Sequence, residues 1–96
     1  MSDIFTLSRE WVVGARSGDM TLRQVALIGV VADEPGPHHV RDLATALGVA
    51  KPVVTRAVAA LKERGILTSH RPQEDRRDCV VSLTEAGRAL RASWRR

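Results

Sequence analysis

Residues 40–61 carry the feature that most constrains the fold, because two helical patterns meet there across a three-residue turn. The turn is Gly48-Val49-Ala50, and its glycine can adopt the positive φ angle that a sharp turn between helices requires. Ala44 is small at the point where the two helices would touch. Apolar side chains fall at helical spacing on both sides of the turn, at Leu43, Leu47, Val49, Val54 and Ala57. The segment predicts a helix-turn-helix with about 90–120° between its helices, and the alternative is an ordinary helical hairpin.

Helices are also predicted before this motif. The first covers residues 3–16. The second begins at Thr21, where Thr21 and Gln24 match a capping box, and ends before Pro35-Gly36-Pro37. Because it is apolar on nearly all sides, it is predicted to be deeply buried. Its inward side chains are predicted to be Leu22, Val25, Ile28 and Val31.

The apolar period changes from helical to alternating after Gly65, which is predicted to end the motif's second helix. Residues 66–70 and 79–83 then predict two strands. The stretch EDRRD at 74–78 is too polar for the core or for the start of a buried strand, so it is predicted to be the tip of their hairpin. Thr84 can cap a last helix. Ala86, Leu90 and Trp94 are predicted to line one side of that helix. The predicted fold class is α+β and mostly α, with a two-stranded β-hairpin and short N- and C-terminal helices.

Positive charge is concentrated in the second half of the chain. Residues 1–50 carry four basic and six acidic side chains, whereas residues 51–96 carry eleven basic and five acidic ones. Thirteen of the fifteen basic residues are arginine, the side chain best suited to bidentate contacts with phosphate and guanine. This asymmetry favours a polyanionic partner, although a general bias toward arginine on a solvated surface is an equal alternative.

The second motif helix presents a polar face at its start. With Val54, Val58 and Leu61 inward, the outward side chains are predicted to be Lys51, Pro52, Thr55, Arg56 and Lys62. A helix that reads DNA meets base edges with its N-terminal residues, while residues further along touch phosphate. Thr55 suits a thymine methyl group and Arg56 suits guanine, and an ordinary solvated face would carry more alternating charge.

Two stretches give the chain a family resemblance. LGVAKPVVTRAVAALKERGIL, residues 47–67, and DRRDCVVSLTEAG, residues 75–87, are similar to the winged helix-turn-helix of the multiple-antibiotic-resistance-regulator (MarR) family of bacterial transcription factors. The second stretch resembles that family's wing signature of Asp-Arg, a strand and Leu-Thr-x-x-Gly. The resemblance covers residues 21–88. It divides the chain into a helical arm (1–18), a DNA-binding domain (19–88) and the end of a short last helix (89–96).

The resemblance implies a sequence-specific regulator of transcription, a repressor, that binds double-stranded DNA. Helix 51–64 would lie in the major groove and the wing, residues 72–78, in the minor groove, where a narrow A·T-rich segment attracts arginine. Wing contacts are expected from Arg71, Asp75, Arg76 and Arg77, with Asp75 holding one arginine by a short ion pair. A homodimer through the terminal helices is expected to use Phe5, Trp11, Leu90 and Trp94.

The chain departs from the family pattern in two ways, and the second, its short terminal helices, favours a different function. Ala50 stands where a capping serine is common, and the terminal helices are short for a dimer. Short helices argue against a small-molecule effector, whose pocket in the family lies between those helices and the DNA-binding lobe. The alternative is a winged-helix module that contacts a protein partner, or an accessory subunit with little DNA binding of its own.

Nothing in the sequence indicates an enzyme or a cofactor, since it has no phosphate-binding glycine loop and no nucleophile elbow. His38, His39, His70 and Cys79 match no metal-ligand spacing, and His39 is expected to cap the helix that follows it. Cys79 is the one cysteine, which agrees with a reducing compartment, and its strand position predicts packing rather than redox sensing. With no bilayer-length apolar run and no signal-like start in residues 1–9, the chain is expected to be cytoplasmic, without membrane contact.

Overall fold

A computed structural model describes residues 20–94, which form four helices and a three-stranded antiparallel sheet. In chain order the elements are α1 (Leu22–Asp33), β1 (His38–His39), α2 (Val40–Leu47), α3 (Lys51–Glu63), β2 (Leu67–His70), β3 (Val80–Leu83) and α4 (Glu85–Ser93). The predicted class, α+β and mostly α, is confirmed. The helix predicted over residues 3–16 lies outside the described residues.

The capping box at the start of α1 is formed as predicted. The Gln24 amide donates to Thr21 Oγ1 at 3.1 Å, and the Thr21 amide donates to Gln24 Oε1 at 3.2 Å. The helix buries Leu27, Ile28 and Val31. The prediction that Leu22 points inward is wrong, because its side chain is 71% exposed. At 3.6 residues per turn Leu22 lies on the side of α1 opposite to the three buried residues.

The helix-turn-helix prediction is confirmed for α2 and α3. Gly48 has φ 67° at the turn, its amide donates to Thr45 O at 3.2 Å, and the Val49 amide donates to Ala44 O at 3.0 Å. The two helices are bent by 111° relative to each other. Within residues 20–94 no helix alone is long and apolar enough to span a membrane; α2 and α3 pass that test only when joined across this bend.

The sheet has one more strand than the sequence predicted, in the order β1-β3-β2. Residues 67–70 pair with 80–83 as the expected hairpin, with Leu67 opposite Leu83 and His70 opposite Val80. The other edge of β3 pairs with β1, a strand that the sequence did not predict. The Val40 amide donates to Cys79 O at 2.9 Å and continues this pairing into the first residue of α2. The hairpin is therefore fastened directly to the start of the helix-turn-helix.

Thr84 joins the end of the sheet to the turn after α3. Its amide donates a hydrogen bond to Ile66 O at 3.0 Å. Its hydroxyl can donate to two carbonyl oxygens, Gly65 O at 2.6 Å and Ile66 O at 3.0 Å. The same hydroxyl accepts from the Gly87 amide at 3.0 Å and so caps α4, as predicted. Ala86 is exposed, and the buried residue of this turn is its neighbour Gly87. The helix approaches Ile66 O so closely that only a residue without a side chain fits there.

Candidate nucleic-acid interface

The exposed face of α3 contains all five residues predicted for the recognition helix. The exposed side chains are Lys51, Pro52, Thr55, Arg56, Ala59 and Lys62. The buried side chains are Val54, Val58 and Leu61. The periodic burial that fixes the core face of α3 therefore gathers the predicted contacts on the opposite, solvent-facing surface. Ala59 has only a methyl group in the middle of that surface, so a ligand can approach the helix backbone closely there.

The first turn of α3 has an uncompensated positive character. Ala50 is the N-cap, and because alanine has no polar side chain it provides no side-chain hydrogen bond, as predicted. The first turn contains no acidic residue. The start of a helix carries partial positive charge, and Lys51 adds a full charge there. Thr55 Oγ1 donates to Lys51 O at 3.1 Å, which leaves the threonine methyl group and the oxygen lone pairs for an outside partner. Within residues 20–94 the Arg56 guanidinium has neither a hydrogen bond nor an ion pair.

The wing is built from two consecutive turns that Arg71 braces. The Asp75 amide donates to Pro72 O at 3.3 Å, and the Asp78 amide donates to Asp75 O at 3.1 Å. Arg71 Nη1 donates to Arg76 O at 3.0 Å and lies 3.4 Å from Asp78 O. The structure thus directs Arg71, a predicted DNA contact, onto the wing backbone.

Asp75 holds the backbone of Arg77 rather than its guanidinium. Asp75 Oδ1 accepts from the Arg77 amide at 3.0 Å, whereas the Arg77 Nε lies 3.9 Å away and the Arg77 side chain is 97% exposed. The predicted ion pair forms with Arg77, but at 3.9 Å it is not short, because the turn brings the Arg77 amide closer to the carboxylate than the side chain. A pair at this distance and exposure contributes about 0–1 kcal/mol. Arg77 and the exposed Arg76 remain available to a partner.

The base of the wing is linked to the start of α2 by a pair that the sequence did not predict. His39 Nδ1 lies 2.6 Å from Asp78 Oδ2, and Asp78 Oδ1 accepts from the Cys79 amide at 2.8 Å. The side chains of His39 and Asp78 are 24% and 9% exposed. His39 occupies the N-cap position of α2 as expected, but its ring binds Asp78 instead of capping the helix. The two residues are 39 positions apart, and only the pairing of β1 with β3 brings them together.

The surroundings of Asp78 favour its ionised form. Burial by itself raises the pKa of Asp78, but the hydrogen bonds from His39 and the Cys79 amide lower it, as do the charges of His39 and Arg41. The net result is a pKa below the ordinary value of 3.8. Asp78 therefore contributes stability above the unfolded-state pKa, and this contribution is lost as the pH falls through the lower, folded-state pKa.

Asp78→Asn is expected to make the free energy of unfolding less dependent on pH in acid. The wild-type free energy of unfolding should fall more steeply below about pH 4 than that of the variant, because the asparagine has no proton to gain. Urea denaturation followed by circular dichroism between about pH 3 and pH 7 measures both slopes. Asp42→Asn, at an exposed aspartate of α2, is the comparison variant, since it removes one carboxylate without changing the His39–Asp78 pair. Equal slopes for wild type and Asp78→Asn would contradict the assignment.

The remaining histidines and Cys79 have structural surroundings. His38 Nε2 lies 3.1 Å from Glu34 O, and His70 is exposed at the end of β2. Cys79 is a free, half-buried thiol that packs against the core. Among the described residues no group of three His, Cys, Asp or Glu side chains is placed to hold a metal ion.

The C-terminal helix packs two of the residues predicted for a dimer interface. Leu90 and Trp94 are half-buried against the core. The Arg91 guanidinium lies 5.7 Å from the centroid of the Trp94 ring, and Arg91 Nη2 donates to Asp33 Oδ2 at 2.6 Å, which fastens α4 to α1. Phe5 and Trp11 lie outside the described residues. The dimer contacts of these four residues stay a prediction.

A family model described as "MarR family" matches residues 18–78, which is more than half of the chain. The chain belongs to the MarR family. The predicted resemblance is thereby confirmed, and the matched range contains the whole helix-turn-helix and the wing.

Solved structures show the same MarR-type winged helix. The S. aureus MepR–DNA complex superposes with a TM-score of 0.80 at 19% identity, covering 92% of this chain and 72% of that one. FabT of Streptococcus pneumoniae in complex with DNA superposes with a TM-score of 0.76 at 25% identity, covering 91% of this chain and 62% of the FabT chain. The F27L mutant of S. aureus MepR, bound to an oligodeoxyribonucleotide, superposes with a TM-score of 0.77 at 20% identity, covering 92% of this chain and 64% of the mutant's chain. The chain thus spans about 62–64% of the length of the last two.

In this structure the residues of the MarR-type wing signature hold the wing and its neighbouring elements together. The aspartate of the signature, Asp75, closes the wing turn through the Arg77 amide. Its threonine, Thr84, ties the sheet to the turn after α3, and its glycine, Gly87, lets α4 pack against Ile66. The signature residues therefore hold the wing and α3 in a fixed relative position.

Proposed function

We propose that this MarR-family chain is a sequence-specific double-stranded DNA-binding regulator that acts as a repressor by occupying its operator. In the proposed complex α3 lies in the major groove and the wing lies at the adjacent minor groove. The observation that carries the proposal is the surface of α3, where Thr55 and Arg56 stand beside a first turn without any acidic residue. MepR and FabT, which share the fold, are bound to DNA in their structures.

The residues of α3 have separate roles in this proposal. Thr55 and Arg56, near the start, contact base edges through the threonine methyl group and the forked guanidinium. Two lysines contact backbone phosphate: Lys51, with Pro52 beside it, and Lys62, which lies in the last turn of the helix. The exposed face has no acidic side chain between Lys51 and Lys62 that would repel the DNA.

The wing supplies the second set of contacts. Arg76 and Arg77 extend from a tip whose backbone is fixed by Asp75 and Arg71. A narrow A·T-rich minor groove has enhanced negative potential, which attracts a guanidinium. Because the tip is braced internally, few conformations of its backbone are lost when the arginines bind, which favours affinity.

A palindromic operator requires two copies of the chain. Half-sites separated by one helical turn lie about 34 Å apart, so the two α3 helices must be held at that spacing by a dimer. We propose that the terminal helices form the dimer, with Phe5, Trp11, Leu90 and Trp94 as contacts. Mass measurement in solution, with and without a palindromic duplex, tests the stoichiometry.

The decisive test is binding to duplex DNA. A preferred duplex is selected from a randomised pool, and its affinity is measured between about 50 and 200 mM salt. We expect log affinity to fall linearly with log salt, at a slope of about −0.9 for each phosphate contacted, and the preferred duplex to bind more tightly than a scrambled one. A lack of salt-dependent duplex binding would contradict the proposal and favour the protein-interaction module instead.

Arg56→Ala and Lys62→Ala should weaken binding in different ways. Loss of Arg56 should reduce discrimination at one base-pair position by about 1–3 kcal/mol, because a forked contact with a base is removed. Loss of Lys62 should weaken binding to all duplex sequences alike, because a phosphate contact is removed. It should also reduce the slope of log affinity against log salt by about 1. Titration of the preferred duplex and its single-position variants distinguishes these results. If neither substitution alters binding, α3 is not the recognition helix.

A further inference from the structure

A cleft of about 270 Å³ separates the wing from the helix-turn-helix. Its walls come from three places in the chain: the start of α2, the start of α3 and the wing. Each place contributes one cation, namely Arg41, Lys51 and Arg77. Arg41 belongs neither to the exposed face of α3 nor to the wing tip, so the proposed function gives it no role.

The acidic residues of the cleft are engaged by the protein itself. Both carboxylate oxygens of Asp78 are occupied, one by His39 and the other by the Cys79 amide. Asp75 accepts from the Arg77 amide. Within residues 20–94 the side chains of Arg41 and Lys51 form neither a hydrogen bond nor an ion pair. Arg41 and Lys51 therefore remain to bind an anion that enters from solvent. Arg77 can join them, because its ion pair with Asp75 is long, at 3.9 Å, and exposed.

The position of the cleft specifies the anion. One sugar–phosphate strand separates a major groove from the adjacent minor groove. If α3 occupies the first groove and the wing the second, that strand must pass between α3 and the wing, where the cleft lies. We infer that this cleft binds a phosphate group of the DNA backbone, with Arg41 as its main contact and Lys51 and Arg77 beside it. The inference rests on the proposed function, and it adds a contact from α2.

The His39–Asp78 pair gives the cleft its shape. It connects the start of α2, which carries Arg41, to the base of the wing, which carries Arg77. The backbone positions that carry the two arginines are therefore tied together before DNA binds. A phosphate with several oxygens can accept from cations on both walls of such a cleft.

Arg41→Gln tests the inference on the preferred duplex. The glutamine removes the charge at an exposed position, so the fold should be kept. We expect about tenfold weaker binding to the preferred and the scrambled duplex alike, and a salt slope smaller by about 0.9. Arg23→Gln, at an exposed arginine of α1, is the control for loss of one charge and should change both quantities much less.

A second measurement locates the phosphate. Single phosphates of the preferred duplex are replaced in turn by uncharged methylphosphonates. One replacement should weaken the binding of the wild type clearly more than that of Arg41→Gln, because the variant has already lost the main contact with that phosphate. If the wild type binds DNA but Arg41→Gln matches Arg23→Gln, or no replacement behaves in this way, the phosphate site is refuted while the proposed function stands. If the wild type binds no duplex, both are refuted.

Discussion

Gly87→Ala is expected to lower the free energy of unfolding by about 3 kcal/mol. A Cβ atom at this position would lie 2.3 Å from Ile66 O and 2.8 Å from Leu83 Cδ2. The carbonyl of Ile66 cannot withdraw easily, since it accepts from the Thr84 amide at 3.0 Å and lies within reach of the Thr84 hydroxyl. The methyl group must therefore displace α4 from the sheet. A domain of this size has a total stability of only about 5–14 kcal/mol, so the loss is a large fraction of it.

Gly29→Ala is the matched control for this substitution. Gly29 lies within α1, and a Cβ atom there would meet nothing within 4 Å. The alanine should therefore stabilise the protein by about 0.5–1 kcal/mol, because glycine is the poorer helix former. Urea denaturation of both variants should give shifts of opposite sign. A Gly87→Ala protein as stable as the wild type would contradict the close contact between α4 and Ile66.

Loss of both wing arginines is expected to have the largest effect on DNA binding. The double substitution Arg76→Ala and Arg77→Ala should weaken binding by at least about tenfold at sites with A·T-rich flanks. The reason is that both guanidiniums are exposed at a braced tip, so their removal takes away the minor-groove contacts without changing the wing backbone. Sites that differ only in their flanks, titrated at one salt concentration, measure the effect.

The control for this substitution removes the same charge elsewhere. Arg23→Ala with Arg88→Ala takes two exposed arginines from α1 and α4, outside the proposed interface. Any loss it causes should be small and independent of the flanks, because it reflects only net charge. Equal losses for the wing variant at A·T-rich and G·C-rich flanks would show that the arginines do not enter the minor groove.

Local signals in the sequence were sufficient for the helices and for the proposed recognition face. Gly48, the Thr21–Gln24 capping box and the helical spacing of Val54, Val58 and Leu61 each act within a few residues. Such signals fix where a helix begins, where it ends and which side is buried, and the exposed side of α3 follows from them. Leu22 was misplaced because an almost wholly apolar helix has no clear polar side from which to read its orientation.

The sequence by itself determined the helix-turn-helix, the hairpin and the polar start of α3, since these depend on spacing and on the conformations that single residues allow. Tertiary structure decided how they are joined. The strand at His38–His39, the His39–Asp78 pair and the contact of Gly87 with Ile66 each link residues about 20 to 40 positions apart. No local pattern marks such contacts, because they form only once strand pairing and helix packing have brought distant segments together. Those same contacts hold the wing beside α3 and shape the cleft between them.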